Sequence, residues 1–178
     1  FENKNSKFFK KDVHRLNTMT GWFQSIKEID LENDGFKDYV IGNWGTNNKF
    51  HPSEEKPLHI YAGDLDGNDS FDMALSKVSK TGELLPVRGK ECSAEQTPFI
   101  NNKLKTFEEF ANSTLPGIYG EDRLSKATHL DAKIFETIVL KNNKEFKLEV
   151  QSLPNQAQFS PTLGTEVHDI NNDGYLDI

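Results

Sequence analysis

Three stretches of the chain place oxygen-bearing side chains at positions 1, 3, 5 and 9 of a nine-residue frame. The sets are Asp30, Glu32, Asp34 and Asp38, then Asp64, Asp66, Asn68 and Asp72, then Asp169, Asn171, Asp173 and Asp177. Position 7 adds a backbone carbonyl, from Phe36, Ser70 and Tyr175 in turn. Oxygens on alternating residues of a tight turn converge on one centre, which is a cage for a hard cation. Calcium is the natural guest, since it takes about six to eight oxygens in irregular geometry. Magnesium holds its waters and wants a strict octahedron, so it fits less well. The spacing therefore predicts up to three structural Ca2+ ions.

The charge balance agrees with that chemistry. The formal net charge is −7, and eleven of the 28 Asp and Glu residues fall inside the three loops, counting Asp69. Empty, such a loop would crowd several carboxylates together, each close pair costing on the order of 4 kcal/mol at about 4 Å in an effective dielectric near 20. A divalent ion reverses that sign and fixes the turn. The expected role is stapling, at an affinity suited to about millimolar calcium. A catalytic ion would need an open coordination position and acid–base partners, and no His or Lys stands near the loops at regular spacing except His168, beside Asp169.

The elements that must hold these loops read as strands. Trp22, Phe23, Ile26 and Ile29 run into the first loop, and Tyr39 to Gly42 run out of it. Leu58, Ile60 and Ala62 alternate with His59 and Tyr61 before the second loop, predicting a strand with the Leu58 face buried. Phe71, Met73 and Leu75 alternate after it, and Leu84 to Val87 follow a turn at Thr81-Gly82. Each of these two loops thus joins two antiparallel strands. An EF-hand also begins with acids at positions 1, 3 and 5, but it needs a Glu at position 12 and flanking helices. Position 12 is Ile41 in the first loop and Leu75 in the second, so that motif is excluded.

Between residues 88 and 128 the texture turns helical. Pro98 to Leu104 and Thr106 to Ala111 have helical apolar spacing, and Thr106 with Glu109 makes a capping-box signature. Leu115-Pro-Gly117 is expected to end that helix, with a further short helix at Glu121 to Lys126. Strand character returns with a hairpin, Ile134 to Leu140, a turn at Lys141 to Lys144, and Phe146 to Val150. The basic first twenty residues are compatible with a leading strand or with a frayed entry segment.

Strand, acidic loop and strand, repeated at one spacing, resemble the FG-GAP or VCBS repeat of integrin-α-type β-propellers. Gly21-Trp-Phe-Gln-Ser25, Gly42-Asn-Trp-Gly-Thr-Asn47 and Phe159-Ser-Pro-Thr-Leu-Gly164 further resemble bacterial VCBS-repeat proteins of the ASPIC/UnbV sort, in which such a helical insertion also occurs. The resemblance covers residues 21 to 178 and implies a mainly β fold. The expected architecture is part of one calcium-stabilised propeller domain spanning 1–178, with 88–128 as a helical insertion. It also implies a secreted, periplasmic or cell-surface protein. Two residues depart from the pattern. Asp69 stands where glycine follows position 5, and Glu32 is a longer arm than the usual Asp at position 3. The Asp69 side chain is expected to point outward.

Composition narrows the partners. An acidic chain lacks the basic face that nucleic acid demands. Hydrophobic content is 35%, and no apolar run approaches a membrane span. Mean hydropathy is −0.68. Phe1 at the start and Ile178 just after the third loop read as the bounds of an excerpt from a longer, processed protein. The single Cys92 rules out an internal disulfide, carries no metal pattern and reads as a lone small hydrophobe.

The five histidines, at 14, 51, 59, 129 and 168, show no metal-type spacing, and no nucleophile elbow, P-loop or dinucleotide turn is present. The leading expectation is a non-enzymatic module binding a protein or glycan at the cell surface. Trp44, Tyr61, Arg88, Phe99 and Tyr119 are the candidate contact residues. One alternative is a propeller-type carbohydrate-active enzyme such as a polysaccharide lyase, which would draw His51, His59, Tyr61 and Arg88 around one pocket. The other is a purely structural segment of a larger surface protein.

Overall fold

A computed structural model of the chain describes residues 1–13, 16–143 and 148–178. In chain order the strands are β1 (Glu2–Lys4), β2 (Lys7–Phe9), β3 (Ser25–Ile29), β4 (Asp38–Gly42), β5 (Leu58–Gly63), β6 (Asp72–Val78) and β7 (Leu84–Pro86). Five short helices follow: α1 (Lys90–Gln96), α2 (Phe99–Lys103), α3 (Phe107–Ala111), α4 (Leu115–Tyr119) and α5 (Glu121–Lys126). The chain returns to strands with β8 (Thr128–Ala132), β9 (Ile138–Asn142) and β10 (Leu148–Ser152). The fold is mainly β, and every ladder between named strands is antiparallel. The backbone divides into two compact units, one of residues 1–51 and 134–178, the other of residues 52–133.

In the first unit the sheet order is β10-β9-β4-β3. One face closes over Ile29, Val40 and Val139, against which Leu31, Leu153, Val167 and Leu176 pack. Leu31 is position 2 of the first acidic loop, while Val167 precedes the third and Leu176 is its position 8, so both loops are tied to one apolar cluster. Beside it lies a buried polar lock. Asn43 is fully buried and donates through Nδ2 to the Ile134 and Glu136 carbonyls, both at 3.1 Å. Gln158 answers with Nε2 to the Thr137 carbonyl (2.9 Å) and Oε1 from the Thr137 N–H (2.8 Å). The Thr162 N–H reaches the Asn43 carbonyl at 2.9 Å. Gly42 permits this docking, because a Cβ there would stand 2.2 Å from the Thr162 carbonyl oxygen. Two of the stretches that carry the family resemblance, at 42–47 and 159–164, are therefore packed on one another.

The second unit has sheet order β7-β6-β5-β8, with the helices of 90–126 in the same unit. Its core comprises Leu65, Ala74, Ala94, Ile100, Phe110, Leu115, Ile118, Tyr119 and Leu124, with Tyr61 packed at its edge. Tyr61 lies opposite Ala74, so the helices cover that face of β5 and β6. This corrects the sequence expectation for β5. Leu58 is buried, but Ile60 and Ala62 on its face are only half-buried, because the helices pack on the Tyr61 side. The capping box forms as read: the Thr106 hydroxyl accepts from the Glu109 N–H, and the Glu109 carboxylate accepts from the Thr106 N–H. Leu115-Pro-Gly117 does not end a helix. It opens α4, with Thr114 as N-cap and Pro116 in the first turn, where its missing N–H costs nothing.

Three other expectations meet the structure differently. The leading segment forms a small β1–β2 hairpin, turning at Asn5 and Ser6 with φ of 51° and 64°. The β9–β10 hairpin pairs Asn142 with Leu148, while Lys144 and Phe146, part of the expected turn and strand, lie outside the described residues. Cys92 is exposed on α1, a position that its reading as a lone small hydrophobe does not specify. No helix among the described residues is long and apolar enough to cross a membrane.

Candidate metal centres

The three acidic loops share one hydrogen-bond scheme. The position-1 carboxylate spans the turn. Asp30 accepts from the Asp34 N–H (3.1 Å) and Gly35 N–H (2.9 Å), and Asp169 accepts from those of Asp173 (3.1 Å) and Gly174 (2.9 Å). Asp64 accepts from Asn68 and Asp69, both at 3.1 Å, and from Gly67 at 2.6 Å. The position-5 side chain accepts from the N–H of position 7: Asp34 from Phe36 (2.9 Å), Asn68 from Ser70 (2.7 Å) and Asp173 from Tyr175 (2.9 Å). The position-9 carboxylate accepts from the N–H of position 2: Asp38 from Leu31 (3.0 Å), Asp72 from Leu65 (3.0 Å) and Asp177 from Ile170 (2.9 Å). An ionised carboxylate offers about four lone-pair sites, so these bonds orient the groups and leave acceptor capacity.

The backbone repeats as well. Positions 4 and 6 are left-handed in every loop: Asn33 (51°) and Gly35 (83°), Gly67 (85°) and Asp69 (63°), Asn172 (58°) and Gly174 (89°). The second loop keeps a glycine but moves it from position 6 to position 4. Asp69 accepts the left-handed conformation that an acidic side chain tolerates, and it is exposed.

Strands β3 and β4 pair from Ile29 and Asp38 outward across the first loop, and β5 and β6 pair from Gly63 and Asp72 across the second. The third loop is closed by a single bridge, in which His168 and Asp177 exchange backbone hydrogen bonds at 2.9 and 3.1 Å. Position 9 is the most protected: Asp38 is 5% exposed and Asp72 only 1%. Asp38 also accepts from the Asn142 N–H at 2.8 Å, a partner 104 residues away that sequence spacing does not reveal.

The loops differ at position 3. Asp64, Asp66 and Asp72 bring carboxylate oxygens within 4.8 Å of one another, and Asp66 Oδ1 is buried without a hydrogen-bond partner. Three gathered carboxylates and a buried oxygen that lacks a hydrogen-bond partner are features that a divalent cation would satisfy. Glu32 instead reaches the Lys141 ammonium at 3.2 Å, so the longer arm is held by an ion pair. Asn171 turns its carbonyl oxygen to the Asp173 N–H and its amide to the Asp173 carboxylate. In addition, Asn33 donates to the Gly174 carbonyl at 3.0 Å, linking the first and third loops.

The electrostatics follow the geometry. The Gly67 N–H, with the neighbouring N–H groups of the turn, holds the Asp64 carboxyl below its usual range. The Tyr175 N–H and the Asn171 side chain do the same for Asp173. Burial pushes the Asp72 carboxyl up, the Leu65 N–H opposes it, and the Asp66 and Asp64 charges add to the rise. Burial thus disfavours the ionised form of Asp72, which a cation at the loop would offset.

The candidate contact residues separate. Trp44 stacks on Trp22 at 5.1 Å between ring centres. Tyr119 is buried, with Phe99 edge-on to it at 6.1 Å and the Arg123 guanidinium over Phe99 at 4.8 Å. Arg88 lines a cavity of about 10 Å³ beside Tyr119, whereas Tyr61 lines an open groove of about 360 Å³ with His129 and Glu121. His59 and Tyr61 meet His129, not Arg88, and His51 belongs to the other unit. Comparison with known proteins finds no matching family model, curated protein or solved structure.

Proposed function

We propose that the chain is a calcium-stapled interaction module built from propeller-type blades of the FG-GAP/VCBS kind, working outside the cytoplasm. The observation that carries this reading is the recurrence of one hydrogen-bond scheme in three loops that share spacing but little else. Carboxylates at positions 1 and 9 and an oxygen at position 5 are held in register by backbone N–H groups, as a cation site on a strand turn requires. Two four-stranded antiparallel sheets, each organised around such a turn, have the strand number of propeller blades. Asp30, Asp34 and Asp38, then Asp64, Asp66, Asn68 and Asp72, then Asp169, Asp173 and Asp177 would hold the ions. Calcium would supply charge neutralisation and turn rigidity rather than chemistry on a substrate.

A protein or a glycan at the cell surface is the partner class in this reading. The helices of 90–126 belong to the second unit, and their outward faces are where recognition can vary while their inner faces hold the core. The test is thermal melting of the chain titrated with calcium after exhaustive chelation. The expected result is a melting temperature that rises with calcium and saturates near millimolar concentration, with magnesium much less effective. A melt indifferent to calcium would refute the reading.

A further inference from the structure

The histidines are scattered in sequence, yet two of them meet. His59 Nδ1 on β5 and His129 Nε2 on β8 stand 2.9 Å apart. Their rings lie side by side, centres 5.1 Å apart and planes 24° apart, and Tyr61 lies flat on His129 at 4.3 Å and 5°. The register explains the encounter. β5 and β8 are antiparallel, with Tyr61 opposite His129 and His59 opposite Asp131. Directly opposed residues share a face, so His59, Tyr61, His129 and Asp131 all project from the same side of the strand pair.

We propose that this face is a nitrogen-based metal site, distinct from the acidic loops, that takes Zn2+ or a similar borderline divalent ion through His59 Nδ1 and His129 Nε2, with Asp131 as third ligand. Two ring nitrogens at hydrogen-bond distance face one another, linked by the proton that one of the rings donates. A metal replaces that proton. Zn–N bonds of about 2.0–2.1 Å in a tetrahedron set the nitrogens about 3.4 Å apart, so a spread of roughly half an ångström accommodates the ion. The Tyr61 ring fixes the tilt of His129 from one side, the orienting role that outer groups play at metal sites.

Asp131, opposite His59 on the neighbouring strand, is the carboxylate that the register places to complete a two-histidine, one-carboxylate set. Among the described residues only Asp64, Asp66 and Asp72 already bring three such ligand atoms within 4.8 Å. Imidazole selects zinc, copper or nickel, while the all-oxygen loops select calcium, so one chain can hold both without exchange. The groove of about 360 Å³ lined by His129, Tyr61 and Glu121 gives the ion a solvent path.

The test is calorimetric titration of the calcium-saturated full chain with Zn2+. The expected result is one zinc site, weakened at least tenfold by His129→Ala and by His59→Gln, weakened a few-fold by Asp131→Asn, and unchanged by His51→Ala. His129 is exposed, so its replacement leaves the fold intact, and an unchanged calcium-dependent melt verifies this. Absence of zinc uptake, uptake indifferent to His129→Ala, or zinc displaced by added calcium would each overturn the proposal.

Discussion

The second acidic loop and its two sisters reach the same turn by different means. The first and third place Asn at position 4 and Gly at position 6, whereas the second reverses the burden, with Gly67 and Asp69. Their anchors differ more. Leu65, at position 2 of the second loop, is fully buried in the helix-covered core, while its counterpart Ile170 in the third loop is 73% exposed. The loop on the deep anchor is the one that draws three carboxylates within 4.8 Å and buries an unpaired oxygen. The first and third loops lean on each other through Asn33 and Gly174. The lesson is that the turn needs one glycine among two left-handed positions, and that the anchor beneath it sets how tightly the charges are gathered.

The largest break in that comparison comes from the anchor. Leu65→Ala removes a fully buried side chain and should cost about 2–5 kcal/mol. Ile170→Ala should cost far less, since most of its surface is already in water. Calorimetric melts of the two variants in saturating calcium would check the contrast.

Next is the charge itself. Asp72→Asn keeps an oxygen for the Leu65 N–H but removes a carboxylate whose ionisation burial disfavours. With calcium present it should lower stability by about 1–3 kcal/mol, the scale of a lost charge-assisted contact. In chelator it should raise the melting temperature. The sign follows from the raised native carboxyl: ionising it destabilises the metal-free fold, so its removal relieves the fold at neutral pH. Loss of stability in both conditions would break the account of this loop.

The smallest effects test the glycine exchange. Gly67→Ala puts a side chain in a left-handed position and should cost about 1–2 kcal/mol. Asp69→Gly should move the other way by up to about 1 kcal/mol, less the chain entropy that glycine adds to the unfolded state. Denaturant midpoints of the two variants would check the opposite signs.

Much of the scaffold was legible because it depends on local chemistry. Alternating oxygens marked the loops, β-branched and aromatic residues marked β3 and β4, apolar alternation marked β5 and β6, and Thr106 with Glu109 marked the start of α3. What escaped depends on long-range register. Nothing near His59 or His129 signals that β8 lies against β5 and joins them. The face of β5 that packs was misread because alternation alone does not say which side the helices cover. Pro116 looked like a terminator because proline both ends helices and fits their first turn, and the Thr114 cap decides between the two. Nor does spacing reveal that Lys141, far along the chain, meets the Glu32 carboxylate.

The central claim is that three loops each hold a calcium ion. Counting calcium bound per chain by equilibrium dialysis, after chelation and return to about millimolar free calcium, tests it most directly. The account predicts three ions per chain, falling to two in Asp72→Asn. A chain that retains no calcium under these conditions would contradict it.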